Sequence, residues 1–310
     1  MQSRSEDAGK PLVTIVTPTL NAAQFLETAI QSVLTQDYPH IEYLVVDGGS
    51  RDGTLDILES HADRLTCIAG MDTGTADALN KGFARAHGQV FAWLSADDAY
   101  LPGAITKAVE GLAANPDAAA VYGEGYWMDG SGKVLGRYPT GSCDGGALGG
   151  ECCICQPTCF IRRQAMEAVG MLDAALRCSF DYDLWVRLAK EYRLARISEA
   201  LATSRMHADT LTIGRRRAVF TESIEILQRH FGYVPVRWVY GYLSYLRDQR
   251  DQVLQPLRHS AWTYLLALPK GLSYNSAHPL RYAAEWISAL EPSRLRRGWM
   301  EQAGTGFPVS

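Results

Sequence analysis

The residues best suited to chemistry are carboxylates that follow apolar runs. Asp97 and Asp98 close the run VFAWL, and in extended chain adjacent side chains point to opposite sides, so the two can serve different partners. One could accept hydrogen bonds from a ribose while the other ligates a hard divalent cation, which prefers carboxylate oxygen. The competing reading is a solvated turn or the N-cap of a helix beginning at Pro102. Asp47 ends the run IEYLVVD ahead of Gly48 and Gly49. A base or ribose could be read there, or the carboxylate closes an Asx-turn in D-G-G-S. Asp77 and Lys81 stand at i and i+4, which gives an ion pair on one helix face or a diphosphate contact. Asp181 and Asp183, in SFDYDLWVRLA, fall on roughly opposite faces of a helix. Asp183 has Arg187 four residues on, the spacing of a surface pair. Four residues after Asp181 stands Trp185, so Asp181 is either an N-cap or a general base in front of a cleft. His207, in SRMHADT, is a ligand or a loop residue. Cys152, Cys153, Cys155 and Cys159 do not match the paired C-x-x-C halves of a structural zinc site, and buried or loop thiols are expected.

These side chains need elements to hold them. LVTIVTPTL, from Leu12, reads as a buried parallel strand stopped by Pro18. Asn21 is expected to cap a helix carrying Leu26, Ile30 and Val33, which ends at Asp37-Tyr38-Pro39. A second strand at IEYLVVD, a helix through Leu55, Ile57 and Leu58, a third strand at 65–69, a helix over about 75–87 and a strand at 90–94 follow. This alternation predicts a mostly parallel sheet covered on both faces. Ligands of such sheets sit beyond the carboxyl ends of the strands, here residues 17–21, 47–50 and 95–98. Further strands are expected near 119–122 and at RLARI, with helices at 163–169 and 181–191. The glycine-rich stretch 141–150 reads as a loop. Beyond Gly214 the pattern becomes helical, with Phe220, Trp238, Tyr242, Tyr245, Trp262 and Trp286. The expected divisions are a lead-in over 1–10, two halves of one α/β domain over 11–100 and 101–214, and a helical region over 215–310.

Composition narrows the field. The 310 residues are 47% hydrophobic and 21% charged with a net charge of −4, which provides no global basic field for nucleic acid. The charge is uneven: residues 1–210 carry 17 Lys/Arg against 27 Asp/Glu, and residues 211–310 carry 13 against 7. The two parts are expected to meet different surroundings. Five of seven cysteines crowd into 143–159, which argues against a secreted disulfide framework and for a reducing cytoplasm. The opening MQSRSEDAGK has no apolar core of a signal peptide, and no apolar run approaches the ~20 residues of a spanning helix.

Taken in order, TPTLN, VVDGGSRDGT, DALNKGF, WLSADD and FDYDLWVRLA followed by RMH make the chain resemble the family 2 glycosyltransferases from about residue 11 to 212. The resemblance implies an α/β fold of the GT-A (Rossmann-like) nucleotide-diphospho-sugar transferase type, with a mostly parallel central sheet flanked by helices and a C-terminal helical extension. It implies inverting sugar transfer from a nucleotide-diphosphate donor, UDP favoured, with Mn2+ or Mg2+. By position, Thr17, Pro18, Thr19, Asn21 and Gly48 would line the nucleotide pocket, Asp47 would bind the base, and Asp77 and Lys81 would contact the donor. Asp97 would face the ribose, Asp98 would hold the metal with His207 as a further ligand, and Asp181 would be the catalytic base. Leu20 stands where many members have a stacking tyrosine, and Phe180-Asp181 stands where a Glu-Asp pair is frequent. The Q-x-x-R-W signature of processive synthases is replaced by VPVRW, which fits single addition.

Other classes lack their signatures. No G-x-G-x-R-L opening of sugar nucleotidyltransferases is present, and no G-x-G-x-x-G follows the first strand. A catalytically silent nucleotide-sugar or glycan-binding module remains the alternative. The expected role is in bacterial-type surface polysaccharide or glycoconjugate synthesis, with a glycan or lipid-linked acceptor and no nucleic acid. Aromatics and arginines in 237–250, with Arg294 to Arg297, point to an anionic membrane surface met by residues 215–310, at the inner face of the membrane. They suit equally a helical cap or a homo-oligomer interface.

Overall fold

The apolar run VTIVTPT forms β1 (Val13–Thr19), buried at every position but Pro18. The structure, a computed structural model, describes residues 9–143 and 146–289. After β1 come α1 (Leu26–Leu34), β2 (Ile41–Asp47), α2 (Thr54–Ser60), β3 (Thr66–Ala69), α3 (Thr75–Phe83) and β4 (Val90–Trp93). Next are β5 (Ala99–Tyr100), α4 (Ala104–Ala114), β6 (Ala118–Met128), β7 (Val134–Arg137) and β8 (Cys159–Arg162). Then follow α5 (Arg163–Ala168), α6 (Phe180–Glu191) and β9 (Arg193–Arg205). The remaining helices are α7 (Leu211–Gly214), α8 (Arg216–Phe231), α9 (Val236–Asp248), α10 (Ala261–Tyr274) and α11 (Pro279–Ser288).

The chain divides into two units, one of residues 1–144 with 153–205, the other of 145–152 with 206–310. In the first, the strands form one sheet in the order β3-β2-β1-β4-β8-β6-β9-β5, with β7 paired to β6. β1 to β4 are mutually parallel, as is β6 with β9, whereas β8, β5 and β7 pair antiparallel. Thr19 lies level with Asp47, and Asp47 with Ala69, so the chain leaves β1, β2 and β3 at one edge. The strand order reverses between β1 and β4, the place where such sheets open a crevice.

Several expected boundaries shift. The helix expected to run to about 87 stops at Phe83, and the one expected from Pro102 starts at Ala104, after Gly103 in a left-handed turn at φ 75°. The strands expected at 119–122 and RLARI extend to 11 and 13 residues, because they pair with each other along most of their length. The expected division after residue 214 compares with a unit boundary after Arg205, and residues 145–152 group with the helical unit. There Trp238 Nε1 donates to Gly150 O at 2.8 Å, and Arg237 pairs with Glu151 at 2.9 Å.

α3 approaches β1 and β2 closely because residue 82 is glycine: a Cβ there would stand 2.5 Å from Val16 Cγ1 and 3.1 Å from Val46 Cγ2. Gly82→Ala adds helix propensity yet overpacks this seam. The variant is expected to lose about 1–3 kcal/mol in urea unfolding, and an unchanged midpoint would refute the tight seam.

The helical unit packs through its aromatics. Phe220 of α8 meets Trp238, Tyr242 and Tyr245 of α9, and Tyr264 of α10 stacks on Trp286 of α11 at 4.8 Å. Among the described residues no helix is long and apolar enough to cross a membrane. Arg294 to Arg297 and residues 1–8 of the expected lead-in lie outside the described residues.

Candidate active site

Four loops, after β1, β2, β3 and β4, leave the same sheet edge on either side of the crevice. At the end of β1, Thr17 is fully buried, with its hydroxyl 3.1 Å from Tyr43 OH, so this side chain serves the interior and not a pocket. Pro18 is half-buried. The Thr19 hydroxyl is buried and lacks a hydrogen-bond partner among the described residues, an orphan polar atom that a ligand would satisfy. Asn21 does not cap α1, which begins five residues later. It sits at φ 52°, takes Ser50 Oγ through its own N–H at 2.8 Å and accepts the Arg51 N–H on Oδ1 at 2.8 Å. Asn21 therefore stitches the β1 loop to the β2 loop.

Asp47 resolves to the local reading. Its carboxylate is 1% exposed and accepts the N–H groups of Gly49 and Ser50 on Oδ2 and the Ser50 hydroxyl on Oδ1, an Asx-turn. A second carboxylate beside this loop, which sequence reasoning missed, is the half-buried Asp72, whose Oδ1 accepts the Gly74 N–H at 2.9 Å. Its Oδ2 is 2.4 Å from the position a Cβ on Gly48 would take, so only glycine leaves the space between them open. The signal was available, since Asp72 lies in the loop that leaves β3 at the sheet edge where Asp47 ends β2. Leu20 and Met71, which end two of these strand exits, are 57% and 81% exposed, two large apolar side chains left bare at the rim.

Asp77 and Lys81 pair with each other at 2.9 Å, and both hold the loop after β3. Asp77 Oδ2 accepts the Thr73 N–H at 2.8 Å, and Lys81 Nζ donates to Met71 O at 2.8 Å. The Thr73 bond first, and Lys81 next, keep the Asp77 carboxyl below its ordinary value. The structure thus uses both residues to shape the loop that carries Met71 and Asp72.

The paired carboxylates after β4 differ in exposure. Asp98 is 5% exposed, and its Oδ1 accepts the backbone N–H of Arg205 at 2.8 Å. Burial, and then the neighbouring Asp97, push the Asp98 carboxyl well above the ordinary carboxylate range. Asp97 is half-buried and is the more accessible of the two. Neither caps α4, whose N-cap is Gly103. Arg205, a residue sequence reasoning did not single out, binds the loop from the end of β9. Its Nε donates to Asp97 O at 2.9 Å and its Nη1 to Asp129 O and Gly130 O at 3.0 and 3.2 Å, with the guanidinium 4.6 Å from the Phe25 ring centre.

Asp181 lies in the first turn of α6, half-buried, with Oδ1 accepting the Tyr182 N–H at 2.7 Å. One turn on, Trp185 stacks on Trp93, the last residue of β4, at 5.4 Å. That stack sets the start of α6 at the same edge as residues 95–98. Asn80 and Leu172 exchange two hydrogen bonds that fix the approach to α6. Asp183 departs from the expected surface pair: it is 1% exposed, meets Arg187 at 2.7 Å, and Arg187 also donates to the carbonyls of Val169 and Met171. Each of the three guanidinium nitrogens thus has an acceptor, which offsets the cost of burying the Asp183 carboxylate.

The residues fit a divalent cation of the hard type. Adjacent carboxylates, one desolvated, offer the one or two oxygen ligands that Mg2+ or Mn2+ takes from protein when substrate phosphates complete its shell. No group of three or more His, Cys, Asp or Glu is assembled for a metal among the described residues. His207 lies two residues past β9 in the helical unit, with its carbonyl accepting the N–H and hydroxyl of Thr210. The cysteines are not all free: Cys143 and Cys153 form a disulfide with Cα atoms 6.0 Å apart, against the expectation of thiols alone, because the folded loop brings together two residues ten apart. Cys155 and Cys159 are buried thiols, as expected. Glu124, also unforeseen, is 2% exposed on β6 and is held by Arg196 and Arg137.

Comparison with known proteins follows the same lines. The family model "Glycosyl transferase family 2" matches residues 14–170. An uncharacterized glycosyltransferase of Rickettsia prowazekii is 30% identical over 215 residues, 65% of this chain and 66% of the relative. A counterpart in Rickettsia felis, 30% identical over 217 residues, is matched over 64% of this chain and 35% of its own length. The match thus spans from about a third to about two thirds of these relatives. A putative teichuronic acid biosynthesis glycosyltransferase of Bacillus subtilis is 38% identical over 105 residues, 33% of this chain and 42% of that one. Among solved structures, S. aureus TarS in complex with UDP-GlcNAc superposes at TM-score 0.61 with 14% identity, covering 92% of this chain and 86% of that one. A Pyrobaculum calidifontis mannosyltransferase in complex with GDP-Man and Mn2+ gives TM-score 0.55 with 19% identity, covering 96% and 87%. The fold is the mixed α/β GT-A type with C-terminal helices.

Proposed function

This chain belongs to glycosyl transferase family 2, and from that premise we propose that it transfers a sugar, with inversion, from a nucleotide-diphosphate donor to a hydroxyl of a glycan or lipid-linked acceptor. The observation that carries this reading is the sheet edge at the β1/β4 reversal, where β1 ends on the Thr19 hydroxyl, unpartnered among the described residues, and β4 leads into the Asp97–Asp98 turn. UDP is the favoured nucleotide, since one structural neighbour holds UDP-GlcNAc, although another holds GDP-Man. The Bacillus relative, in teichuronic acid biosynthesis, supports a role in surface polysaccharide or glycoconjugate synthesis.

The metal-holding role first assigned to Asp98 passes to Asp97 here. Asp98 has one oxygen engaged by the chain and little exposure, so Asp97 is the residue to hold Mn2+ or Mg2+, with Asp98 shaping the turn behind it. A cation bound there supplies Lewis acidity toward the leaving diphosphate. Leu20 and Met71 offer apolar surface to the base, and Asp72 the polar contact first given to Asp47. Asp181 takes the proton of the acceptor hydroxyl as that oxygen bonds to the anomeric carbon and the nucleoside diphosphate departs from the opposite face.

Calorimetric titration of UDP, GDP, dTDP and CDP, with and without Mn2+, tests the reading on wild type and Asp97→Ala. Metal-dependent binding of UDP that disappears in Asp97→Ala is expected. Binding of no nucleotide in either condition would reject the pocket. Nucleotide binding without transfer to any acceptor would favour a silent binding module.

A further inference from the structure

Helix α10 has two faces of different character. Inward, Thr263, Ala267 and Gly271 are buried. Gly271 leaves room for Tyr282 of α11, whose ring carbon Cζ lies 1.8 Å from where a Cβ would be, and Tyr282 OH donates to Ala267 O at 2.9 Å. Outward, Trp262, Leu265 and Leu266 are 69%, 52% and 45% exposed, and Pro269 is exposed beside them. At about 100° per residue these four share an arc of about 100° centred opposite Tyr264 and Gly271, so packing among the described residues of the helical unit leaves them exposed.

A second observation says what covers this face. Residues 252–284 contain no aspartate or glutamate, whereas Arg258, Lys270 and Arg281 lie within them. Arg258 and Lys270, just before and within α10, are exposed. An exposed apolar stripe with tryptophan, bordered by cations over 33 acid-free residues, has the chemistry of a helix lying in a bilayer interface.

We propose that the outer face of α10 docks this protein on an anionic lipid bilayer, with Trp262, Leu265 and Leu266 inserted among the acyl chains and Arg258 and Lys270 at the headgroups. The helix lies in the surface plane and does not cross it. Leu280 and Ile287 of α11 are also exposed, but they lie on the side of α11 turned away from α10 and take no part. The inference does not depend on the donor or on the catalytic assignments.

Co-sedimentation of the full chain with vesicles of phosphatidylcholine alone, or with phosphatidylglycerol added, tests it. Wild type is expected to pellet with the anionic vesicles and to be released by salt. W262S/L265S should partition about tenfold or more weakly, and L280S/I287S as wild type. UDP titration and thermal unfolding check that the variants are folded. Should W262S/L265S fail to fold, R258E/K270E at exposed positions answers by the same readout, with unchanged pelleting overturning the proposal. Wild type that stays in the supernatant with anionic vesicles overturns it. So does a dimer in sedimentation velocity that W262S/L265S dissociates without any vesicle binding, which would assign the face to a second copy of this chain.

Discussion

Asp181→Asn is expected to lower kcat by about 10² to 10⁴-fold, the usual contribution of a positioned general base. The amide keeps the size of the side chain and can still accept the Tyr182 N–H, so the first turn of α6 has no reason to shift. It cannot take a proton. The stack of Trp185 on Trp93 that sets the helix is untouched. UDP affinity should therefore stay within about twofold of wild type by calorimetry while turnover falls. Equal loss of UDP binding and of rate would place Asp181 in donor binding and remove it as the base. Turnover at the wild-type level would show that another group accepts the proton.

Arg205→Met is the second large effect. Methionine fills much of the same volume, but the backbone carbonyls of Asp97, Asp129 and Gly130 each lose the bond from the 5% exposed Arg205, with Asp129 O keeping the Gly132 N–H. Losing three such bonds to half-buried or exposed carbonyls costs on the order of 1–3 kcal/mol together, measurable by urea unfolding. Asp98 simultaneously loses a nearby cation that favours its ionised form. Metal-dependent UDP binding should then weaken by more than about tenfold, because the turn that presents Asp97 is no longer held in one geometry. Arg205→Lys should recover little, since one ammonium cannot span carbonyls on two separate loops as the guanidinium fork does. Full UDP affinity in both variants would show that the turn holds itself.

Much of the first hundred residues could be read from pattern alone. β1, β2 and β4 are apolar runs with a single way to be buried, and their ends are marked by Pro18, by Gly48-Gly49 and by Asp97-Asp98. What pattern could not show is which polar side chain a loop consumes. Asn21 has the residue type of an N-cap, but its partners are Ser50 and Arg51, some thirty residues away, and local propensity carries no information on that pairing. Asp47 and Asp98 look as available as Asp97 in sequence. Burial separates them, and burial depends on where the neighbouring strand ends. Glu124 reads as an ordinary polar residue until β9 brings Arg196 beside it. The length of β9 was missed for the same reason, since SEALATSR is extended by its pairing with β6 and has little strand character of its own.

The bond from the Arg205 N–H to Asp98 joins residues 107 apart in the chain. During synthesis at the usual rate of about 5–20 residues per second, the Asp97–Asp98 turn emerges about 5–20 s before the strand that fastens it. In that interval the parallel strands β1 to β4 can already pair, because their partners are all made. The nascent sheet would hold a formed apolar scaffold with its two adjacent acids untethered. Competence to hold a nucleotide sugar should thus arise in one late step, when β9 slots beside β6 and β5, and not gradually with the growth of the sheet. Ribosome-stalled chains that expose residues up to about 150 would be folded in part and silent toward UDP.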